Sequence, residues 1–274
     1  MASSQSDKAA RFRALHQGPA AFVIPNPWDA GSARVLAGLG FQALATSSGA
    51  SAVSLGRRDG ELTREEALAH ARVIVDATDL PVSADLENGF GAAPEAVAET
   101  IGLAAGVGLV GGIIDDGTGD RDEPLHDTAR AAERVAAAAR AARALPFPFT
   151  LTGRTQSLMR GNAELGDTIE RLRAYEAAGA DVLMASGLPD LAAVREVCAA
   201  LSKPFNFMAG IPGQSFTVAA LAAAGVRRIS LSTSLYRMAM TGLVEAAREV
   251  KERGTFDYLD HALSTQDLHS FMRT

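Results

Sequence analysis

Two carboxylates stand two residues apart in the segment Pro81-Val-Ser-Ala-Asp-Leu-Glu-Asn-Gly-Phe-Gly91, where a short apolar run meets a glycine-rich turn. Side chains at i and i+2 of an extended strand point to the same side, so we expect Asp85 and Glu87 to leave the strand as a pair. A divalent cation would relieve their repulsion, and oxygen-only ligands favour Mg²⁺ or Mn²⁺ over zinc. A solvated loop or a pair of helix caps before Pro94 is equally compatible with this segment alone.

The elements around this segment repeat. Eight short apolar strands alternate with alanine-rich amphipathic stretches, which predicts a single α/β domain, a (β/α)₈ TIM barrel over residues 1–274. Residues 1–20 form an N-terminal tail and helix in this interpretation, and residues 254–274 form an extra C-terminal helical segment. The alternative is an open doubly wound sheet, but no Gly-x-Gly-x-x-Gly turn follows the first strand. The predicted strands begin at Ala21, Ala43, Val82, Gly112, Phe149, Val182, Phe205 and Arg228.

Reactive groups of such barrels lie at the carboxyl ends of the strands, which here carry several acids and one arginine. The residues at or just after these ends are Thr46, Ser47, Ser48, Gly49, Asp59, Asp85, Glu87, Asp115, Asp116, Arg154 and Asn206. A Mg²⁺ ion held by Asp85 and its neighbours could chelate a 2-oxo acid, while the amides of Ser47 to Gly49 and the Arg154 guanidinium hold the carboxylate. This arrangement would stabilise an enolate of a small dianion.

Composition excludes several classes of protein. The net charge is −6 without any basic block, which disfavours nucleic acid and anionic membranes as partners. Cys198 is the only cysteine, so no intrachain disulfide can form, and no apolar run is long enough to span a bilayer. We therefore expect a soluble cytoplasmic protein whose partner is a small molecule.

Several motifs together resemble the isocitrate lyase and phosphoenolpyruvate mutase superfamily, in order and spacing, from about Phe22 to about Arg237. They are Pro25-Asn-Pro-Trp-Asp29, Thr46-Ser-Ser-Gly49, Ser83-Ala-Asp-Leu-Glu-Asn-Gly-Phe-Gly91, Ile114-Asp-Asp116, Arg154-Thr155 and Asn206-Phe-Met-Ala-Gly210. The resemblance implies a barrel whose last helix is exchanged with a neighbour in a homodimer or homotetramer. It also implies a Mg²⁺ site, with Mn²⁺ as a possible substitute, and a 2-oxo acid or its enolate as the reacting species.

The resemblance also implies roles by position. Asp85 would coordinate the metal directly, and Asp59, Glu87 and Asp115 would hold metal-bound waters. Asp59 and Arg154 are the candidate catalytic residues. The residues that would bind substrate are Ser47, Ser48, Gly49, Asp85, Arg154 and Asn206.

Three departures from the family pattern narrow the activity. The Lys-Lys-Cys-Gly-His loop of isocitrate and methylisocitrate lyases is replaced by residues 117–126, which contain no cysteine. Asp115 stands where the family usually has glutamate, and Ala185 stands where phosphoenolpyruvate mutases have a histidine. We therefore predict a Mg²⁺-dependent lyase that cleaves or decarboxylates a small 2-oxo or 2-hydroxy dicarboxylate through an enolate. The alternatives are a phosphoenolpyruvate or phosphonopyruvate mutase or hydrolase, and a 2-oxo acid binding protein without turnover.

Overall fold

Eight parallel strands form one sheet in the computed structural model, which describes residues 3–161 and 164–272. The strands are β1 (Phe22–Ile24), β2 (Leu44–Ala45), β3 (Val82–Asp85), β4 (Gly111–Asp115), β5 (Thr150–Thr155), β6 (Val182–Ala185), β7 (Phe205–Met208) and β8 (Arg228–Ser230). Their order is β1-β8-β7-β6-β5-β4-β3-β2. The Ala45 amide donates to the Pro25 carbonyl at 3.0 Å, which joins the two edge strands. The predicted (β/α)₈ barrel is confirmed.

Helices connect the strands and pack outside them. They are α1 (Gln5–Gln17), α2 (Ala30–Gly38), α3 (Ser48–Ser54), α4 (Arg64–Ala77), α5 (Pro94–Gly106), α6 (Thr128–Arg143), α7 (Leu165–Ala177), α8 (Leu191–Ala200), α9 (Val218–Ala223), α10 (Ser234–Arg253) and α11 (Thr265–Phe271). Short 3₁₀ turns cover Ser157–Arg160 and Asp257–Asp260. No helix among the described residues is both long enough and apolar enough to cross a membrane.

Helix α1 closes the amino-terminal end of the barrel. Phe12 is fully buried there, and the ring of His16 makes edge-to-face contacts with Phe12 and Phe22. Gly111 shows how tightly this end is packed, because a Cβ at that position would lie 2.8 Å from the Phe12 ring and 2.9 Å from the Thr150 carbonyl oxygen. The open end is therefore the opposite one, where the strands terminate.

The two C-terminal helices differ in how they pack on the barrel. Helix α11 returns to its own barrel, where Phe271 packs on Gly38 of α2 and the Arg34 guanidinium donates to the Met272 carbonyl at 2.9 Å. Helix α10 instead buries only Tyr236 and Glu249 along its 20 residues. Its apolar side chains are exposed, including Met238 at 67% and Leu243 at 60%.

Candidate active site

Three strand ends bring an arginine between two acids at the mouth of the barrel. Strand β3 ends at Asp85, β4 ends at Asp115, and β5 passes between β4 and β6 with Arg154. The Arg154 guanidinium donates to both Asp85 carboxylate oxygens, at 2.8 and 3.0 Å, and to Asp115 Oδ2 at 2.5 Å. Only about a tenth of the Arg154 and Asp85 side chains is exposed. Such charge-assisted, two-pronged bonds fix the positions of both carboxylates.

The expected extended geometry from Asp85 to Glu87 is wrong. Strand β3 stops at Asp85, and Glu87 has a φ of 51°, in the left-handed region that side chains other than glycine rarely adopt. Two hydrogen bonds hold this conformation, from the Glu87 amide to Asp85 Oδ1 at 3.1 Å and from the Asp115 amide to the Glu87 carbonyl at 2.8 Å. A turn, and not strand alternation, therefore brings Glu87 to the acid cluster, and its strained backbone is typical of a functional position.

The loop after β2 forms a wall of small residues beside Asp85. Ser47 is the N-cap of α3, and the Ser48 hydroxyl donates to Asp85 Oδ2 at 3.3 Å. The first amides of a helix have no acceptor within the helix, so those of Ser48 and Gly49 are available to an anion. A Cβ on Gly49 would lie 3.0 Å from the Thr233 methyl group and 3.4 Å from the Asp59 carboxylate, which accounts for glycine here.

The charges of the cluster are not balanced. Burial, together with the neighbouring Asp85, Asp59 and Asp115 carboxylates, raises the pKa of Glu87 to about 8. Burial also raises the pKa of Asp59, which the hydrogen bond from Ser48 only partly offsets. Burial opposes ionisation of Asp115 as well, but Arg154 overcomes that effect and lowers its pKa. In the part of the chain that the structure describes, Arg154 is the one cation in direct ionic contact with these four carboxylates, so the acids of the cluster outnumber the cations bonded to them.

The donor set fits a hard divalent cation. All four side chains offer oxygen ligands, and Mg²⁺ is commonly bound by one or two carboxylates while it keeps several waters. Within the described ranges, no three acidic, histidine or cysteine side chains converge closely enough to hold an ion directly. The raised pKa of Glu87 is the observation that favours a cation, because a positive charge would stabilise its ionised form.

A cavity of about 520 Å³ opens above the cluster. Its walls include Ser48, Asp59, Glu87, Asp115, Arg154 and Gln156, and Arg58, Arg121 and Arg160 also line it. The volume suits a small metabolite. Asn206, in contrast, is fully buried, donates to the sulfur of Met184 at 3.2 Å and accepts from Ser230 at 3.0 Å. The structure therefore brings together Ser48, Gly49, Asp59, Asp85, Glu87, Asp115 and Arg154. Ser47 is buried as the cap of α3, and Asn206 lies deeper in the barrel.

Sequence reasoning missed the residues that support the cluster from below and from the side. The Gln156 side chain donates to Asp115, and the buried Asp116 accepts from Thr155, from the Gln156 amide and from the Tyr175 hydroxyl at 2.7, 2.9 and 2.8 Å. Asp116 and Thr155 lie in the quoted motifs but had no assigned role, whereas Gln156 and Tyr175 lie outside every motif, although Gln156 follows directly after Arg154-Thr155.

A second support is a buried arginine on α6. Arg134 is 1% exposed and donates to the carbonyls of Gly91 and Ala92 at 2.6 and 2.7 Å, and also to that of Asn88. It thereby fastens the turn that follows Glu87. A buried arginine in a helix gives no sequence signal beyond the unusual polarity of its position.

Comparison with known proteins places the chain among lyases and mutases. The family model described as phosphoenolpyruvate phosphomutase matches residues 12–251. A 2-methylisocitrate lyase of Halalkalibacterium halodurans is 30% identical over 258 residues, which cover 92% of this chain and 85% of that protein.

Solved structures agree. A crystal structure of a Burkholderia cenocepacia protein described as a lyase/mutase is 49% identical, with a TM-score of 0.96 over 97% of this chain and 96% of that one. The structure of 2,3-dimethylmalate lyase, a member of the PEP mutase/isocitrate lyase superfamily, is 28% identical, with a TM-score of 0.86 over 96% and 94% of the two chains.

Proposed function

The chain belongs to the phosphoenolpyruvate phosphomutase family, within the PEP mutase/isocitrate lyase superfamily, and on that premise we propose that it is a Mg²⁺-dependent carbon–carbon lyase. Its substrate in this proposal is a small 2-oxo or 2-hydroxy dicarboxylate, cleaved or decarboxylated through an enolate. The observation that carries the proposal is the Arg154 guanidinium held between Asp85 and Asp115 beside two further acids, at the floor of a small cavity.

Each side chain has a distinct task. Arg154 lowers the pKa of Asp115 and holds the carboxylates of Asp85 and Asp115 in place, and its position lets it share its charge with a bound carboxylate. The amides of Ser48 and Gly49, at the start of α3, would donate hydrogen bonds to the remaining carboxylate oxygens of the substrate. Asp59 lies next to Ser48 and has a raised pKa, so it is a candidate to hold a proton near the substrate.

Asp85 would hold the metal directly, with Glu87, Asp115 and Asp59 binding its waters. When bound, Mg²⁺ supplies a positive charge that polarises a 2-oxo group and stabilises negative charge on its oxygen. The oxygen-only donor set and the excess negative charge support this assignment, and Mn²⁺ would satisfy the same donors.

Cysteine-dependent chemistry is disfavoured in this chain. Cys198 is the only cysteine, and it lies on α8, within the packed shell of helices. Burial raises the pKa of its thiol to about 11, which leaves it protonated at neutral pH. We therefore propose an activity other than cleavage of isocitrate or methylisocitrate by a catalytic thiol.

Two other functions could use the same site. Phosphoenolpyruvate or phosphonopyruvate chemistry is favoured by the description of the matching family model. A 2-oxo acid binding protein without turnover would use the same carboxylate cradle. Ala185, at the end of β6, offers no proton donor at that strand end and so weighs against the phosphorus chemistry.

We also propose a homodimer or homotetramer that works in the cytoplasm. The exposed apolar side of α10 supports self-association through an exchanged last helix. The single cysteine is compatible with a reducing compartment.

A proton and phosphorus NMR time course would test the activity. The substrates are oxaloacetate, 2-hydroxy diacids of the malate type, 2-oxoglutarate and phosphonopyruvate, each with Mg²⁺ and then with EDTA. We expect pyruvate to appear from a carbon diacid only in the presence of Mg²⁺. A changed phosphorus signal from phosphonopyruvate would instead support the mutase or hydrolase, and Mg²⁺-dependent line broadening without turnover would support the binding protein.

A further inference from the structure

A second arginine lies inside the barrel, away from the cavity. Arg228 begins β8, where it pairs in register with Phe22 on one side and Asn206 on the other, and it is 0% exposed. Its Nε, Nη1 and Nη2 atoms find no hydrogen-bond acceptor among residues 3–161 and 164–272. The guanidinium lies over the ring of Phe12, whose centroid is 5.7 Å from Arg228 Cζ.

A charge buried without a hydrogen-bonded partner is unfavourable for folding. A buried guanidinium loses its hydration, and a contact with one aromatic ring replaces only part of it. Burial lowers the pKa of Arg228 to about 10, so the group still carries its charge at neutral pH. Replacement of buried charged groups by apolar side chains of similar volume is often neutral or stabilising. The charge must therefore serve something other than packing.

The charge lies beneath the acid cluster. Burial lowers the pKa of Arg228, and the charge of Asp85 raises it. The two groups therefore lie within electrostatic reach of each other. Ser230 is two residues nearer the mouth on the same face of β8, and it donates to Asn206. Asn206 and Ser230 are both buried, so little solvent screens the field of the guanidinium on this side.

We propose that Arg228 is a positioning residue whose charge acts from below on Asp85 and on the ligand bound at Asp85. This charge strengthens the binding of a dianion and weakens the binding of a cation. The inference rests on the proposed function, because it assumes that Mg²⁺ and a dicarboxylate meet at Asp85. It explains why a cation is kept where an apolar residue would pack better. It also predicts opposite effects on the two ligands, which loss of structure cannot produce.

The test uses two equilibrium binding measurements by calorimetry on the full chain. The first is Mg²⁺ alone, and the second is oxalate, a planar dianion that resembles an enolate of a 2-oxo acid, at saturating Mg²⁺. For Arg228→Met we expect the Kd for Mg²⁺ to fall roughly tenfold and the Kd for oxalate to rise roughly tenfold, the order of effect of one weakly screened charge. The melting temperature should be unchanged or higher.

Two further variants serve as controls. Arg228→Lys keeps the charge and should bind both ligands within about threefold of the wild type. Thr152→Val removes another buried group without a partner, the Thr152 hydroxyl, but no charge, and should leave both constants unchanged.

Weakening of both ligands by Arg228→Met, no change in either, or failure of this variant to fold would overturn the inference. If the wild-type protein itself binds neither Mg²⁺ nor oxalate, the proposed function fails and the inference fails with it.

Discussion

The four carboxylates at the mouth, Asp59, Asp85, Glu87 and Asp115, are held close together in spite of their mutual repulsion. Burial, and secondly the neighbouring carboxylates, raises the pKa of Glu87 to about 8, and Arg154 offsets only part of this effect. Removal of water strengthens both the repulsion and the attraction of a cation. The same excess charge therefore makes the empty cluster unfavourable and its complex with a divalent cation favourable.

A titratable side chain far from the mouth predicts how stability depends on pH. Burial, and secondly the charge of Arg228, lowers the pKa of His16 from 6.5 to about 3. The unfolded chain therefore binds a proton below pH 6.5, while the folded chain does not until about pH 3. The His16 contribution to stability is present above pH 6.5 and is lost as the pH falls toward 3.

The free energy of unfolding, measured by urea denaturation, should reveal this loss. Between pH 6.5 and 5 we expect His16 to account for about 2 kcal/mol, at about 1.4 kcal/mol per pH unit. His16→Asn, which does not titrate, is the control, and its stability should fall less over the same range. Parallel pH profiles for the two proteins would contradict the burial of a neutral His16.

The turn after β3 depends on a helix that is distant in sequence. Arg134 on α6 donates to the carbonyls of Asn88, Gly91 and Ala92, and the Ala92 carbonyl also accepts from Arg130. Removal of a donor leaves partly buried acceptors unsatisfied, at a cost of about 1–3 kcal/mol for each group. The geometry of Glu87 is thus maintained by α6 as well as by its own strand.

Arg134→Met should loosen this turn. We expect faster hydrogen exchange of the amides of residues 86–92, measured by mass spectrometry, and a loss of stability of about 2–4 kcal/mol. Arg140→Met, at an exposed position of the same helix, is the matched control and should change neither. Unchanged exchange in Arg134→Met would show that the turn holds its conformation without α6.

Regular elements were predictable because their signals are local. Eight apolar strands and the helices between them follow from periodicity. The short helix α3 was not predicted, because the serines and glycine of its first turn read as a loop. The left-handed backbone of Glu87 was also missed, since it is imposed by hydrogen bonds to Asp85 and Asp115 that only the folded sheet provides.

The site was predictable in part for a similar reason. The carboxyl ends of parallel strands must meet at one face, so Asp85, Asp115 and Arg154 could be grouped before their contacts were known. Asn206 also lies on a barrel strand, but its neighbours Met184 and Ser230 occupy its amide. Arg134 and Arg228 are isolated arginines in the sequence, and only the fold shows that each is buried.

Exposed apolar side chains are distributed unevenly over the surface of the molecule. Helix α10 presents a long apolar side with few contacts to its own barrel, whereas the other long helices bury one face against the strands. Exposed apolar patches of this kind mark sites of association. A second copy of the chain is the partner that we propose for this side.

Leu243→Glu should disrupt that association. Leu243 is 60% exposed on α10, so the charge would be harmless in a monomer but would be buried in an interface. Size-exclusion chromatography with light scattering should show a larger assembly for the wild type and a smaller one for the variant. Leu39→Glu, at a position that is 61% exposed after α2, is the control and should assemble like the wild type. A monomeric wild type would contradict the proposal.

The central claim is that Asp85 and its neighbours form a Mg²⁺-assisted site for a 2-oxo acid or its enolate. Calorimetric titration of oxalate into the wild type and into Asp85→Ala, each with Mg²⁺ and with EDTA, tests it most directly. We predict that oxalate binds the wild type with Mg²⁺, that EDTA weakens this binding at least about a hundredfold, and that Asp85→Ala removes it. Equal binding with EDTA, or unchanged Mg²⁺-dependent binding by Asp85→Ala, would contradict the account.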